Sequence, residues 1–175
     1  MAPGLDSYVF NQCDAVTFPS GCHVAEVEID PESGAVSLER YLAVDDYGLL
    51  INPLLTRGQV HGGVAQGVGQ ALLEHTVYDL ESGQLLSASL LDYAIPRADD
   101  LPPLYITLNE LPTAANPLGV KGSGQAGAIA APQTIVNAIL DALAPLGVEH
   151  VDMPATSERV WHAIRAARSI GTNPT

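Results

Sequence analysis

Between Cys22 and Asp30 the chain alternates at period two, with apolar Ala25, Val27 and Ile29 set against acidic Glu26, Glu28 and Asp30. That is the pattern of a half-buried strand. Pro31-Glu32-Ser33-Gly34 is turn chemistry and Ala35 to Val44 alternates again, so the two segments are predicted to pair as a hairpin. Asp45-Asp46-Tyr47-Gly48 and Asn52-Pro53 then interrupt the chain. From Gly58 to His75 the period becomes helical. At about 100° per residue, Val60, Val64, Val68, Ala71 and Leu72 fall on one side. Gln59, Gln66 and Gln70 form a narrow stripe on the other, beside Gly63 and Gly67, and that stripe is expected to make a buried polar contact. Each glycine weakens an isolated helix by roughly 1 kcal/mol relative to alanine. Close packing against a backbone or a cofactor is expected to compensate.

Further along, Thr76 to Leu80 and Gln84 to Tyr93 are predicted as a second hairpin around Glu81-Ser82-Gly83. Pro96, Pro102 and Pro103 mark a loop before a strand at Leu104 to Leu108, and Leu111 to Leu118 is another loop. A helix from Ala128 to Leu143 ends near Pro145-Leu146-Gly147, and Val148 to Met153 is a short extended piece. Thr156-Ser157-Glu158-Arg159 opens a last helix through Arg168, with a Ser/Thr cap and an early Glu. Residues 1–20, with Pro3, Gly4 and Pro19, lack periodicity and are expected to be a loose lead-in arm. The predicted order is ββ-α-βββ-α-β-α. This is an α+β fold, a mixed and largely antiparallel sheet layered with about three helices, with residues 21–175 as one domain.

Composition narrows the classes. A hydrophobic content of 47% with 15% charged residues is globular, and 175 residues can bury a real core. Seven Lys and Arg against 20 Asp and Glu leave a net charge of −13, which argues against a nucleic-acid partner. No apolar run approaches the ~20 residues of a membrane span. The start of the sequence shows no signal peptide, so a cytoplasmic protein is expected. Cys13 and Cys22 lack metal-like companion spacing and are read as buried, reduced thiols.

The chemistry concentrates in Gly119-Val120-Lys121-Gly122-Ser123-Gly124-Gln125-Ala126-Gly127, which runs into the helix after it. Four glycines allow close approach of the backbone to a ligand, and the chain's one lysine sits among them. The free N–H groups of the following helix complete a cradle for an anionic or polar cofactor. Gly122 to Gly127 matches G-x-G-x-x-G literally. A dinucleotide fold, however, needs a buried strand before the first glycine, and here Pro112 and Pro117 mark a loop. A phosphate-binding loop of the Walker type fails because Lys121 precedes the glycines. No Ser/His/Asp or Cys/His nucleophile set and no metal-ligand spacing can be assembled, and His61 is read as structural.

Four separate segments resemble one family. Gly58-Gln59-Val60-His61-Gly62-Gly63 through Glu74 is similar to the "GQ-x-x-GG-x-x-QG-x-G-x-AL-x-E" helix of molybdenum hydroxylase large subunits. Leu91 to Pro96 resembles their "DY-x-x-P" segment, and Gly119 to Gly127 their "G-x-K-G-x-GE-x-G" loop. Asp152-Met153-Pro154 with Glu158 to Trp161 resembles their usual carboxyl end, above all in the aerobic carbon monoxide dehydrogenase-like branch. The resemblance implies the carboxyl-terminal cofactor-binding domain of a molybdopterin-dependent oxidoreductase, with the cofactor in its cytosine dinucleotide form. It implies further that the remaining large-subunit domains, an iron–sulfur subunit and an FAD subunit are partners. By position, Gly58, Gln59, Lys121, Gly122, Ser123 and Gly124 would touch the cofactor.

Two departures follow from the resemblance. The chain corresponds only to the carboxyl-terminal part of such a subunit, so alone it is expected to bind no cofactor, to be inactive and to form homo-oligomers through faces its neighbours would cover. The family's general base is a glutamate in the glycine loop, and its position holds Gln125. An amide accepts and donates hydrogen bonds but cannot take a proton near neutral pH. The alternatives are a non-catalytic accessory domain derived from the family or a stand-alone nucleotide-binding protein.

Overall fold

The structure, a computed structural model, describes residues 4–5, 7–10 and 15–171. Among the described residues before Ser20 none belongs to a helix or strand, and Cys13 lies outside the described residues. The first hairpin forms as the alternation predicts, with β1 (Ser20–Ile29) antiparallel to β2 (Val36–Asp46). A bulge shifts the register between Glu26 and Val27, so β2 carries the extra residue. That residue lets Leu38 and Tyr41, three apart, both point into the core. β3 (Leu104–Asn109) joins the other side of β2 in parallel, giving a three-stranded mixed sheet in the order β1-β2-β3.

One helix starts earlier than its periodicity suggests. α1 spans Pro53–Val68, and its last turn widens into a π-helical segment, Gly69–Leu73. Asn52-Pro53, read as a break, is its start signal: the Asn52 side chain accepts the Leu55 N–H at 3.2 Å, and Pro53 takes a position that needs no donor. α2 (Ala126–Leu143) follows the glycine loop and α3 (Ser157–Gly171) closes the fold. The core joins Tyr41, Ala43 and Ile106 of the sheet to Val60, Val64 and Val68 of α1 and Ile135 and Ile139 of α2.

Gly63 and Gly67 answer the compensation question. A Cβ on Gly63 would lie 2.8 Å from the Ala128 nitrogen, and one on Gly67 would lie 2.5 Å from the Ala131 Cβ. The glycines therefore let α1 and α2 approach backbone to backbone, while Gln59, Gln66 and Gln70 are exposed rather than buried.

Other expectations need correcting. The second hairpin keeps its turn but reduces to one bridge, Tyr78 to Leu85. Among the described residues no layer covers it: Leu80 is 99% and Leu91 94% exposed. Val148 to Met153 forms no strand. Cys22 is exposed, because it sits on the outer face of the sheet. The stretch Ala126–Leu146, 21 residues, is long and apolar enough by length and composition to cross a membrane, contrary to the reading of the sequence. In this fold it is the central helix, with Ala131, Ile135, Ile139 and Leu143 buried.

Candidate functional site

The glycine loop is held against the segment that leaves β2. The Lys121 N–H donates to the Tyr47 carbonyl at 2.8 Å and the Leu49 N–H to the Gly119 carbonyl at 3.0 Å, around a bridge between Gly48 and Val120. Gly48 and Gly119 have φ of 68° and 65°, a region that L side chains rarely adopt. A Cβ on Gly48 would also strike the Gly119 carbonyl oxygen at 2.2 Å. The Asn116 side chain pins Val120 through both its carbonyl and its N–H, at 2.9 and 3.1 Å.

A cavity of about 390 Å³ opens between this loop, the Tyr47–Asn52 segment and the first turns of α1. It brings together Gln59, Lys121, Gly122 and Ser123, four of the residues singled out in the sequence, with Asn52 and Thr56 beside them. Among the described residues, the side chains of Gln59, Ser123 and Gln125 have no hydrogen-bond partner. Gly58, Gly124 and Gln125 lie outside its lining. Gln125 is exposed at the N-cap of α2, makes no side-chain cap there, and accepts the Ile129 N–H with its carbonyl at 3.0 Å.

The glycines divide into two groups. Gly48, Gly63, Gly67, Gly119 and Gly127 are crowded by the chain's own atoms, whereas a Cβ on Gly58, Gly62, Gly122 or Gly124 would meet nothing within 4 Å. None of these four has a positive φ. The fold itself does not require glycine there, and Gly58 and Gly62 weaken α1 by about 1 kcal/mol each. Glycines without an internal reason, next to amides without partners, leave room for a ligand with polar edges to meet the backbone. The residues present thus fit a bulky polar cofactor.

Lys121 does not point freely into this space. Its ammonium pairs with the Asp46 carboxylate, and the two side chains are only 15% and 6% exposed. The other Asp46 oxygen accepts the N–H groups of Gly48 at 2.9 Å and Leu111 at 3.1 Å. Burial opposes ionisation of Asp46, but the Lys121 ammonium and the two N–H donors outweigh it and hold the carboxyl below its ordinary value. Sequence reading took Asp45-Asp46 as part of a chain break and missed this role. A lone lysine that must find a counter-ion was the available signal.

The sign of the shift fixes a prediction. A carboxyl whose folded pKa is depressed stabilises the fold above the unfolded value, 3.8, and that contribution is lost as pH falls below it toward the folded value. At neutral pH, Asp46→Asn should therefore destabilise the chain by about 3 kcal/mol, as expected for breaking a buried pair. Urea midpoints should show the gap between variant and parent narrowing at pH 3. A gap unchanged between pH 7 and pH 3 contradicts the pairing.

A second buried network lies under β1. His23 bonds Tyr41 Oη at 2.7 Å and Asp45 at 3.0 Å, and Tyr47 donates to Asp45 at 2.9 Å. Burial pushes both tyrosines well above their ordinary pKa, and the Asp45 carboxylate adds to the effect at Tyr47. They remain neutral hydrogen-bonding struts. A larger cavity, about 490 Å³ between Val36–Glu39 and Asp99–Pro103, touches none of the candidate cofactor-binding residues, nor Gln125.

The sequence model of the molybdopterin cofactor-binding domain family matches residues 6–102, more than half of the chain. The nicotine 6-hydroxylase large subunit of Paenarthrobacter nicotinovorans is 40% identical over 96% of this chain and 20% of its own length. Quinoline 2-oxidoreductase from Pseudomonas putida 86 superposes with a TM-score of 0.78 at 44% identity, covering 83% of this chain and 18% of that one. Reconstituted CO dehydrogenase from Oligotropha carboxidovorans superposes with a TM-score of 0.83 at 32% identity, covering 88% and 19%. The chain spans about a fifth of the length of the relatives it matches.

Proposed function

Because the chain belongs to the molybdopterin cofactor-binding domain family, that of the molybdenum hydroxylase large subunits, we propose that it supplies one wall of the cofactor site in an oxidoreductase of that kind. The observation that carries the reading is the cavity where Gln59, Lys121, Gly122 and Ser123 meet beside glycines that the fold does not require. The molybdenum of the bound group supplies the redox chemistry of hydroxylation. On this chain, the Gln59 side-chain amide and the backbone at Gly122 to Gly124 would bind and orient the pterin part of a cofactor in its cytosine dinucleotide form. Gln125 occupies the position of the general base, and as an amide it can hold a hydrogen bond but not accept a proton.

The partners in this reading are the remaining large-subunit domains, an iron–sulfur subunit and an FAD subunit, all in the cytoplasm, where a free thiol such as Cys22 persists. The outer face of the sheet suits such a neighbour. Val24, Leu42 and Tyr105 lie side by side across the three strands, 55%, 38% and 57% exposed, with Val44 next to them. Apolar patches of this kind mark interfaces.

A cofactor of this size needs most of its surface buried, and one wall does not achieve that. The isolated chain is therefore expected to contain almost no molybdenum by metal analysis, and to self-associate through its uncovered face in light scattering. Near-stoichiometric metal in the pure chain would refute the one-wall reading, and a monomer at high concentration would refute the exposed interface. The second reading, a non-catalytic accessory domain, is favoured by Gln125 alone. Turnover by the complete enzyme carrying Gln125 separates the two.

A further inference from the structure

We infer that Asp46 and Lys121 form a buried latch that fixes the glycine loop, so that Lys121 serves the site as a positioning residue through Asp46 rather than as a ligand of the cofactor. This rests on the cofactor-site reading above. One carboxylate joins three separate stretches of chain: Gly48 in the turn after β2, Leu111 in the loop after β3, and Lys121 in the glycine loop. Lys121 is pinned twice, by its main chain to Tyr47 and by its side chain to Asp46, immediately before Gly122 at the cavity. Among the described residues, Lys121 is the one cation paired with Asp46. Turning that ammonium to a ligand would strand a charge on a carboxylate that is 6% exposed, which is strongly unfavourable. The latch thus holds the backbone of Gly122 at the cavity that Gln59 also lines, and nothing else in the loop carries a charge to do so.

The double variant Asp46→Asn with Lys121→Met tests it without stranding a charge. Asparagine keeps an acceptor for Gly48 and Leu111, so the fold should survive, with amides at Ile135 and Ile139 as protected as in the parent. The Val120 and Lys121 amides, held by the Asn116 side chain and the Tyr47 carbonyl, should exchange faster by on the order of 10²-fold, since only the latch is lost. Lys121→Arg, which keeps a cation for Asp46, should restore most of that protection. Unchanged loop exchange in the double variant would overturn the latch.

In the assembled large subunit, molybdenum retention gives a second reading. Asp46→Asn and Lys121→Met should each lose it, and the double variant should lose no more than either single one, because coupled residues are not additive. Loss with Lys121→Met but not with Asp46→Asn would make Lys121 a direct ligand and overturn the proposal. If the parent assembly held no molybdenum, the cofactor-site reading would fail, while loop exchange would still judge the latch.

Discussion

Gln125→Glu, introduced into the assembled and cofactor-loaded large subunit, is expected to raise turnover by roughly 10²–10⁴-fold, the contribution of a positioned general base. The loop that carries residue 125 is held by the Gly48–Val120 bridge, the Asn116 clamp and the Asp46–Lys121 pair, none of which involves Gln125. The substitution therefore changes a proton acceptor and leaves its support in place. It also suits the local fold. Gln125 is the N-cap of α2, its side chain makes no cap bond, and the first turn of α2 holds no acidic residue. A carboxylate there is favoured by the helix dipole, by about 0.3–1 kcal/mol. The expected pattern is a large gain in kcat with little change in thermal stability. Equal turnover by the Gln and Glu forms would show that residue 125 is not the base and that the loop has been matched to the family's pattern in the wrong register.

The largest effect on stability is expected at the crossing of α1 and α2. A Cβ on Gly127 would lie 2.7 Å from the Val60 carbonyl oxygen and 2.9 Å from the Val64 nitrogen, and both are backbone atoms of a helix. Neither can yield without moving α1, which carries the buried Val60, Val64 and Val68 and places Gln59 at the cavity. Gly127→Val should lower the unfolding free energy by about 3 kcal/mol or more, at the upper end of what overpacking causes. Gly62→Ala, where the new methyl meets nothing within 4 Å, should instead stabilise the helix by about 1 kcal/mol. Chemical denaturation of the two variants side by side checks the pair. Equal midpoints would mean that the helices do not cross at Gly63 and Gly127.

What the sequence revealed follows the range of the interactions involved. The β1–β2 hairpin is local, its turn residues and alternation lie within 30 residues, and both strands appear close to where the pattern places them. α1 was legible from its valines but not from its start, because Asn52-Pro53 signals both a break and a cap. The parallel pairing of β3 with β2 joins Tyr41 to Leu104 across more than sixty residues, and nothing local announces it. At Thr76–Tyr93 the turn chemistry is correct, with Asp79 receiving Ser82 and bonding Gln84, yet no layer covers the strands and they do not extend.

The site divides in the same way. Gln59 and the glycine loop carry a recognisable spacing, and the fold brings them to one cavity. Asp46 carries none, since its importance comes from Leu111 and Lys121 arriving from distant parts of the chain. The glycines looked alike in the sequence. Only packing separates those crowded by the fold, such as Gly63 and Gly127, from Gly58, Gly122 and Gly124, which face open space.

That distinction supplies the most direct test of the central claim. In the chain itself, Gly122→Val and Gly124→Val add side chains where the fold has room, so melting temperatures should match the parent. Joined to the remaining large-subunit domains, the parent chain should retain molybdenum and pterin near one per subunit, and the valine variants should lose both. Full retention of the cofactor by the valine variants would contradict the claim that this loop forms a wall of the cofactor site.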